Sequence, residues 1–336
     1  MKVLLFSESQ KALRHSGIGR ALKHQKAACE AVGIEVTDDP RDSFDIAHIN
    51  TYGSKSLRLL KRLLKRNVPV VVHGHSTRED FRGSFRCAKA AEPFFWGYLK
   101  RMYGKAPLII TPTPHSKKNI EAYGLCPKVV DCSNGIILDE YLPDSKKVKT
   151  FRDHFGLEEN EKFVMGVGFP FVRKGFVDFI EVARRFPETK FFWFGEISAF
   201  LNSHPALQAK RHKPENVILP GYVSGELIQG AYQCASCLFF PSYEENEGIV
   251  VLEALASRCP LLVRDIDTFV PWLEKDVSCR MGKDNDEFEK EIRRLLEGED
   301  PAVLDAGYKV AEARRIELIG ERLKTIYESV LQNKIQ

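Results

Sequence analysis

Glu245 and Glu253 flank the stretch EENEGIVVLE, one ahead of an apolar run and the other inside it. Pro241-Ser242 closes a short apolar run that reads as a buried strand, Gly248 supplies a turn, and a helix is expected from Ile249. Glu245 is then expected on a loop at the carboxyl edge of a sheet, and Glu253 about one and a half turns into the helix. Carboxylates accept hydrogen bonds from hydroxyls, so two of them over one hollow suit a polyhydroxylated ligand.

Cations stand at a matching place upstream. In GVGFPFVRKGFVDFIEVARRF a strand is expected to end near Gly166 and Gly168, a loop carries Arg173 and Lys174, and a helix follows. Two cations at a helix N-terminus oppose the macrodipole, and an anion bound there would reconcile them. Gly17 and Gly19, in HSGIGRALKHQ, precede another helix and could present backbone N–H groups to a phosphate. Leu22 stands where a dinucleotide fingerprint wants its third glycine, which disfavours an NAD site. In VVVHGH, His73 and His75 are two apart and point to one side of a sheet. Further metal ligands at defined spacing are lacking, and the Asp265–Asp267 pair reads as an ordinary turn. Of the eight cysteines only Cys234 and Cys237 have C-x-x-C spacing, with no second pair, so buried reduced thiols are expected rather than zinc.

Short apolar runs alternate with helical patterns in two series. Val3–Phe6, Ile46–Ile49, Val68–Val72, Leu108–Ile110 and Val129–Asp131 form the first; Phe163–Gly166, Phe191–Phe194, Val217–Ile218, Cys237–Phe240 and Pro260–Val263 form the second. This is the pattern of α/β domains with parallel sheets covered by helices. Its 336 residues suit two domains. The boundaries expected are 1–145 for the first, 151–310 for the second, with the polar stretch 142–150 as linker. An amphipathic helix over 311–336 is expected to pack back toward the first domain. Ligands of such sheets sit at the carboxyl ends of the strands, in a cleft between the two domains.

The first 150 residues carry 26 Lys and Arg against 15 Asp and Glu, the remainder 24 against 31. The first half is therefore expected to face something anionic. In SKSLRLLKRLLKRN, Leu57, Leu60, Leu63 and Leu64 form one helical face, and Lys55, Arg58, Lys61, Arg62, Lys65 and Arg66 the other. Next, Phe81, Phe85, Phe94, Phe95, Trp96, Tyr98 and Tyr103 are interleaved with Arg82, Arg86, Lys89, Lys100, Arg101 and Lys105. An anionic lipid interface and single-stranded nucleic acid both call for such a mixture. The N-terminus MKVLLFSES lacks the apolar core of a signal peptide, and no run is long enough to span a bilayer. A cytoplasmic protein is expected, peripheral on the inner face of the cell membrane if lipid is its partner.

SGIGR, VVHGHST, TPTPHSKKNIEAYG, SNGI, GVGFPFVRKG and PSYEENEGIVVLEALA follow one another along the chain. This ordered set resembles the family 4 retaining glycosyltransferases of GT-B fold, two Rossmann-like domains facing across a cleft. Within that family it is most similar to the bacterial synthases that add a second hexose to monoglucosyl-diacylglycerol.

The resemblance implies UDP-glucose or UDP-galactose as donor, a glycolipid acceptor at an anionic membrane surface, and no nucleic acid. It implies no permanently bound cofactor and no required metal. By the same resemblance Glu245 holds donor-sugar hydroxyls, Glu253 the ribose, and Gly248, Ile249 and Val250 bring N–H groups to the diphosphate. Lys174 matches the phosphate-binding lysine, Gly17 and Gly19 the loop over the donor, and His75 the histidine beside the reacting sugar. Phe169 stands where the family has arginine, leaving Arg173 to supply that charge, while Asn246 and Glu247 replace the common Gly-Phe. The acceptor and membrane side is assigned to Arg58, Lys61, Arg62, Lys65, Arg82, Arg86 and Trp96.

Overall fold

The computed structural model describes residues 1–8, 16–82, 86, 88–126, 128–198 and 202–332. Two compact units divide the chain: Met1–Arg78 with Lys89–Ile137 and Arg314–Gln336 form the first, and Glu79–Ala88 with Leu138–Ala313 the second.

In the first unit the strands are β1 (Lys2–Phe6), β2 (Glu35–Thr37), β3 (Ile46–Ile49), β4 (Val70–His73), β5 (Ile109–Thr111) and β6 (Val129–Asp131). They pair in parallel in the order β2-β1-β3-β4-β5-β6. The strands β3, β4 and β5 are buried at every position, which is why they read as unbroken apolar runs rather than alternating ones. Among them run α1 (Gly17–Ala31), α2 (Ser54–Lys65), α4 (Ala88–Tyr103) and α5 (Pro114–Ala122), while α3 (Arg78–Arg82) belongs to the second unit from Glu79 on. The α2 helix has no cap from its own Gly53; the Glu8 carboxylate, just beyond β1, accepts from Lys55 N at 3.2 Å instead. Leu59, Leu60 and Leu63 are buried and Leu57 and Leu64 half-buried, with Lys55, Arg58, Lys61, Arg62, Lys65 and Arg66 exposed.

The second unit contains β7 (Phe163–Val167), β8 (Lys190–Phe194), β9 (Val217–Gly221), β10 (Cys237–Phe240), β11 (Leu261–Arg264) and β12 (Arg280–Gly282), again all parallel. Their order, β12-β11-β10-β7-β8-β9, reverses direction between β7 and β10. Such a reversal is where a doubly wound sheet opens a crevice at its carboxyl edge. The helices here are α6 (Ser145–Phe155), α7 (Phe176–Ala183), α8 (His204–Arg211), α9 (Glu226–Cys234), α10 (Ile249–Ala256), α11 (Asn285–Glu297) and α12 (Pro301–Glu312). The core beneath α7 is aromatic, with Phe179 between Phe191, Trp193 and Phe239.

Two expectations give way to tertiary structure. The stretch 142–150 is no linker over most of its length: Asp144 accepts from Lys146 N at 2.9 Å and caps α6. A Cβ on Gly230 of α9 would lie 2.2 Å from Lys147 O, so α6 packs backbone to backbone against α9. The amphipathic C-terminal run is broken as well. It ends α12 at Glu312 and restarts as α13 (Ile316–Gln332), because residues 314–316 bridge to Ile136 through Ile136 N to Arg314 O at 3.0 Å and Ile316 N to Ile136 O at 3.1 Å. The apolar face of α13, with Ile319, Leu323, Ile326 and Tyr327, lies in the core of the first unit.

Candidate active site

In the second unit two loops meet at the carboxyl ends of β7 and β10. The first makes a single 3-10 turn over Val172–Lys174 and ends on Gly175, whose φ of 72° is left-handed. A Cβ there would lie 2.2 Å from Pro241 O, so only glycine lets this turn close on the end of β10. Tyr243 N then donates to Arg173 O at 2.7 Å, and Arg173 Nη1 to Glu244 O at 3.2 Å.

These contacts bring Lys174 onto Glu245, 71 residues on in the chain, as a hydrogen-bonded ion pair. Their side chains are 17% and 7% exposed, so the attraction is little screened by water. Glu245 is oriented from several sides: Ser242, fully buried, places its hydroxyl 2.8 Å from Glu245 Oε1, and Thr268 Oγ1 donates to Glu245 O at 2.9 Å. Burial pushes the Lys174 ammonium below its ordinary value, Glu245 pulls it back up, and neighbouring Arg173 lowers it further. Burial, with Glu79 and Asp80 nearby, raises the Glu244 carboxyl. Asn246 Nδ2 donates to Asp80 Oδ2 at 2.6 Å.

Gly248, at φ 84°, turns the chain into α10, which has neither a side-chain cap nor an acidic residue in its first turn. The N–H groups of Ile249 and Val250 stand in that turn, the end of a helix that favours an anion. Glu253 is 1% exposed on the same helix and accepts from the Tyr232 hydroxyl at 2.8 Å. Arg264 stacks on Tyr243, 3.8 Å from its ring centroid, and donates to Pro241 O at 3.0 Å, which stiffens the loop from beneath.

In the first unit Ser16 caps α1 by accepting from Gly19 N at 3.3 Å. Gly17 opens that helix, and a Cβ on it would meet nothing described within 4 Å. Gly74 separates His73 from His75 and has no room for a side chain, since a Cβ would lie 2.6 Å from Ile120 Cδ1. The two imidazoles therefore stack, with centroids 3.8 Å apart and planes 19° apart. His75 Nε2 lies 2.8 Å from Asn50 Oδ1.

Lys174, Arg173, Glu245, Gly248, Ile249, Val250 and Glu253 thus share one edge of one sheet, and Gly17, Gly19 and His75 belong to the other unit. Arg58, Lys61, Arg62 and Lys65 are exposed on α2, and Arg86 on a turn. The Arg82 side chain and residues Phe85 and Cys87 lie outside what the structure describes. Trp96 is only half-buried, edge-on to Tyr123 at 4.8 Å, with Arg78 and Lys100 each within about 5.5 Å of its ring. The exposed apolar residues of α4 are instead Ala90, Pro93, Phe94 and Tyr98. Ser242 and Asn50 were not singled out by sequence. Their only signal was adjacency to a strand end. Among the described residues no group of three His, Cys, Asp or Glu could hold a metal ion, and no described cysteine is in a disulfide.

Residues 147–310 match the family described as glycosyl transferases group 1, and residues 39–140 match Glycosyltransferase Family 4. The chain is 48% identical over 335 residues to a processive diacylglycerol alpha-glucosyltransferase of Acholeplasma laidlawii, covering 99% of this chain and 100% of that one. It is 27% identical to an alpha-galactosylglucosyldiacylglycerol synthase of Streptococcus pneumoniae, over 79% of this chain and 70% of the other. The Anabaena protein HepE, solved in complex with UDP-glucose, superposes with a TM-score of 0.77 at 16% identity, covering 98% and 100% of the two chains. Two six-stranded parallel sheets, two matching glycosyltransferase family models and near-complete alignment to a glycosyltransferase lead to one conclusion: the chain belongs to the family 4 glycosyltransferases of GT-B fold.

Proposed function

We propose that this enzyme transfers a glucosyl residue from UDP-glucose to monoglucosyl-diacylglycerol, with retention at the anomeric carbon, while resting on the cytoplasmic face of an anionic membrane. The observation that carries the reading is the buried Lys174–Glu245 pair at the point where the second sheet reverses its strand order. In this reading Lys174 and Arg173, with the first-turn N–H groups of α10, meet the diphosphate. Glu245 accepts from hexose hydroxyls, Glu253 from the ribose, and His75 lies beside the reacting sugar, with Gly17 and Gly19 in the loop over the donor.

Negative charge grows on UDP as the bond from C1 to the β-phosphate oxygen breaks, and a preorganised cation stabilises that charge most in the transition state. The acceptor oxygen bonds to C1 on the face the leaving group quits, and its proton passes to the departing phosphate. The name of the Acholeplasma relative supports glucose as the hexose and a diacylglycerol lipid as acceptor. It also supports retention, since an alpha linkage made from an alpha-linked nucleotide sugar keeps its configuration.

Membrane docking is supported by two helices of the first unit. On α2 the basic side chains are exposed; on α4, Pro93, Phe94 and Tyr98 are exposed beside Lys100 and Arg101, Phe94 to 78%. Each such cation contributes about 1 kcal/mol of attraction near an anionic surface, and the aromatic rings suit the headgroup boundary.

The test is incubation with radiolabelled UDP-glucose, with UDP-galactose in parallel, and vesicles of monoglucosyl-diacylglycerol in either phosphatidylglycerol or phosphatidylcholine. Label is expected in an alpha-linked diglucosyl lipid, faster with the anionic vesicles. Absence of lipid label with both donors would defeat the proposal.

A further inference from the structure

The first unit buries a line of polar side chains that the transfer chemistry above leaves unused. Tyr327 on α13 is fully buried, and its hydroxyl lies 2.7 Å from His48 Nδ1 on β3. His48, also fully buried, brings Nε2 within 3.1 Å of His73 Nδ1 at the end of β4. The Gln25 amide nitrogen, from α1, lies 3.0 Å from the same Nδ1. His48 stacks on His73 with centroids 5.2 Å apart, and His73 on His75 at 3.8 Å.

With the Gln25 amide as placed, one direction of protons satisfies these contacts. An amide nitrogen donates, so His73 Nδ1 accepts and carries its proton on Nε2. His48 must then donate from Nε2, which leaves its Nδ1 bare and requires the Tyr327 hydroxyl to be the donor. His73 Nε2 has no hydrogen-bond partner among the described residues, so this line is the ring's polar anchorage. Turning the Gln25 amide over would reverse each donor, with the Tyr327 hydroxyl then accepting from His48 and facing the Cys29 thiol with its own proton. Burial pushes all three imidazoles far down, His48 and His75 to about 3, so rings stacked face to face carry no mutually repelling charge.

We propose that Tyr327, acting through His48 and His73, is a positioning residue for His75: its hydroxyl satisfies the His48 nitrogen that would otherwise be buried without a partner, so that each ring keeps one tautomer and holds the plane in which His75 meets Asn50. The proposal rests on the reading of His75 as the histidine beside the reacting sugar. A tail helix, 279 residues from β3 in sequence, would in this way complete a site it does not itself line.

The test is Tyr327→Phe, which keeps the ring and removes the hydroxyl, in the full-length chain. Two readouts are taken: steady-state kinetics with UDP-glucose and monoglucosyl-diacylglycerol vesicles, and nitrogen-15 histidine spectra, which report the tautomer of each neutral ring. In the parent protein His48 and His73 should each show a single tautomer, Nε2–H with the Gln25 amide as placed. In Tyr327→Phe, His48 should become a mixture. Turnover should fall by about ten- to a hundredfold, the loss seen when an orienting partner of a functional histidine is removed. The KM for UDP-glucose should stay within about twofold, because Lys174, Glu245 and Glu253 are untouched. Unchanged turnover in Tyr327→Phe, or mixed tautomers already in the parent protein, overturns the proposal. If the parent transfers no hexose, the function proposed above fails, and the spectra alone decide the line, unaltered tautomers in Tyr327→Phe overturning it. Should Tyr327→Phe not fold, the parent spectrum decides in the same way.

Discussion

Acid should loosen the first unit well before its carboxylates titrate, and the reason is the buried histidines. His48 is fully buried and His73 is 4% exposed; burial holds His48 at about 3 and lowers His73 well below its ordinary value near 6.5. A base whose folded pKa is depressed gives stability that is present above its unfolded pKa and lost as pH falls below it. Between pH 7.5 and 5.5 the unfolded chain takes up a proton on each ring while the native chain does not. Each ring then costs about 1.4 kcal/mol at pH 5.5, so the pair removes about 3 kcal/mol of the unit's stability. His75, likewise pushed to about 3 by burial, adds a comparable cost. The measurement is the opening free energy from hydrogen exchange, read by mass spectrometry on peptides from β3 and β4 at the two pH values. His48→Gln, which starts from lower stability, should lose roughly a third of the pH dependence. A free energy that is flat across the two pH values, or a full slope retained by His48→Gln, would refute the reasoning.

Glu245→Gln removes the charge that neutralises Lys174, so UDP should bind more tightly by calorimetry while hexosyl transfer falls; weaker UDP binding would speak against Lys174 as the diphosphate contact. Lys174→Ala leaves Glu245 a buried carboxylate without its counter-ion, and should lower turnover by more than about tenfold with circular dichroism unchanged. Gly175→Ala forces a left-handed residue against Pro241 O, and denaturant unfolding should report at least about 2 kcal/mol of lost stability. Phe94→Asp should weaken sedimentation with phosphatidylglycerol vesicles several-fold without altering UDP affinity, and equal binding would remove α4 from the docking surface.

The local pieces of the donor site were legible because each is a continuous stretch with a physical signature. Cys237–Phe240 reads as a buried strand because all four residues are apolar, and Gly248 before Ile249 reads as a turn into a helix. The same holds for Arg173-Lys174-Gly175 ahead of α7. What could not be read was that Lys174 and Glu245 would pair, since their meeting depends on β7 lying beside β10 and on a glycine closing against Pro241. The packing of α4 was not legible either. It sets Trp96 edge-on to Tyr123 at 4.8 Å and leaves Phe94 78% exposed.

Composition and periodicity by themselves determined two parallel α/β halves and a basic first half, because burial on both faces of a sheet and charge along a helix are properties of short segments. Tertiary structure alone decided the break before Ile316, the capping of α2 by Glu8 and the line from Tyr327 to His73. Each of these joins groups far apart in the chain, and a hydrogen bond between distant residues leaves no periodic trace in the sequence that makes it.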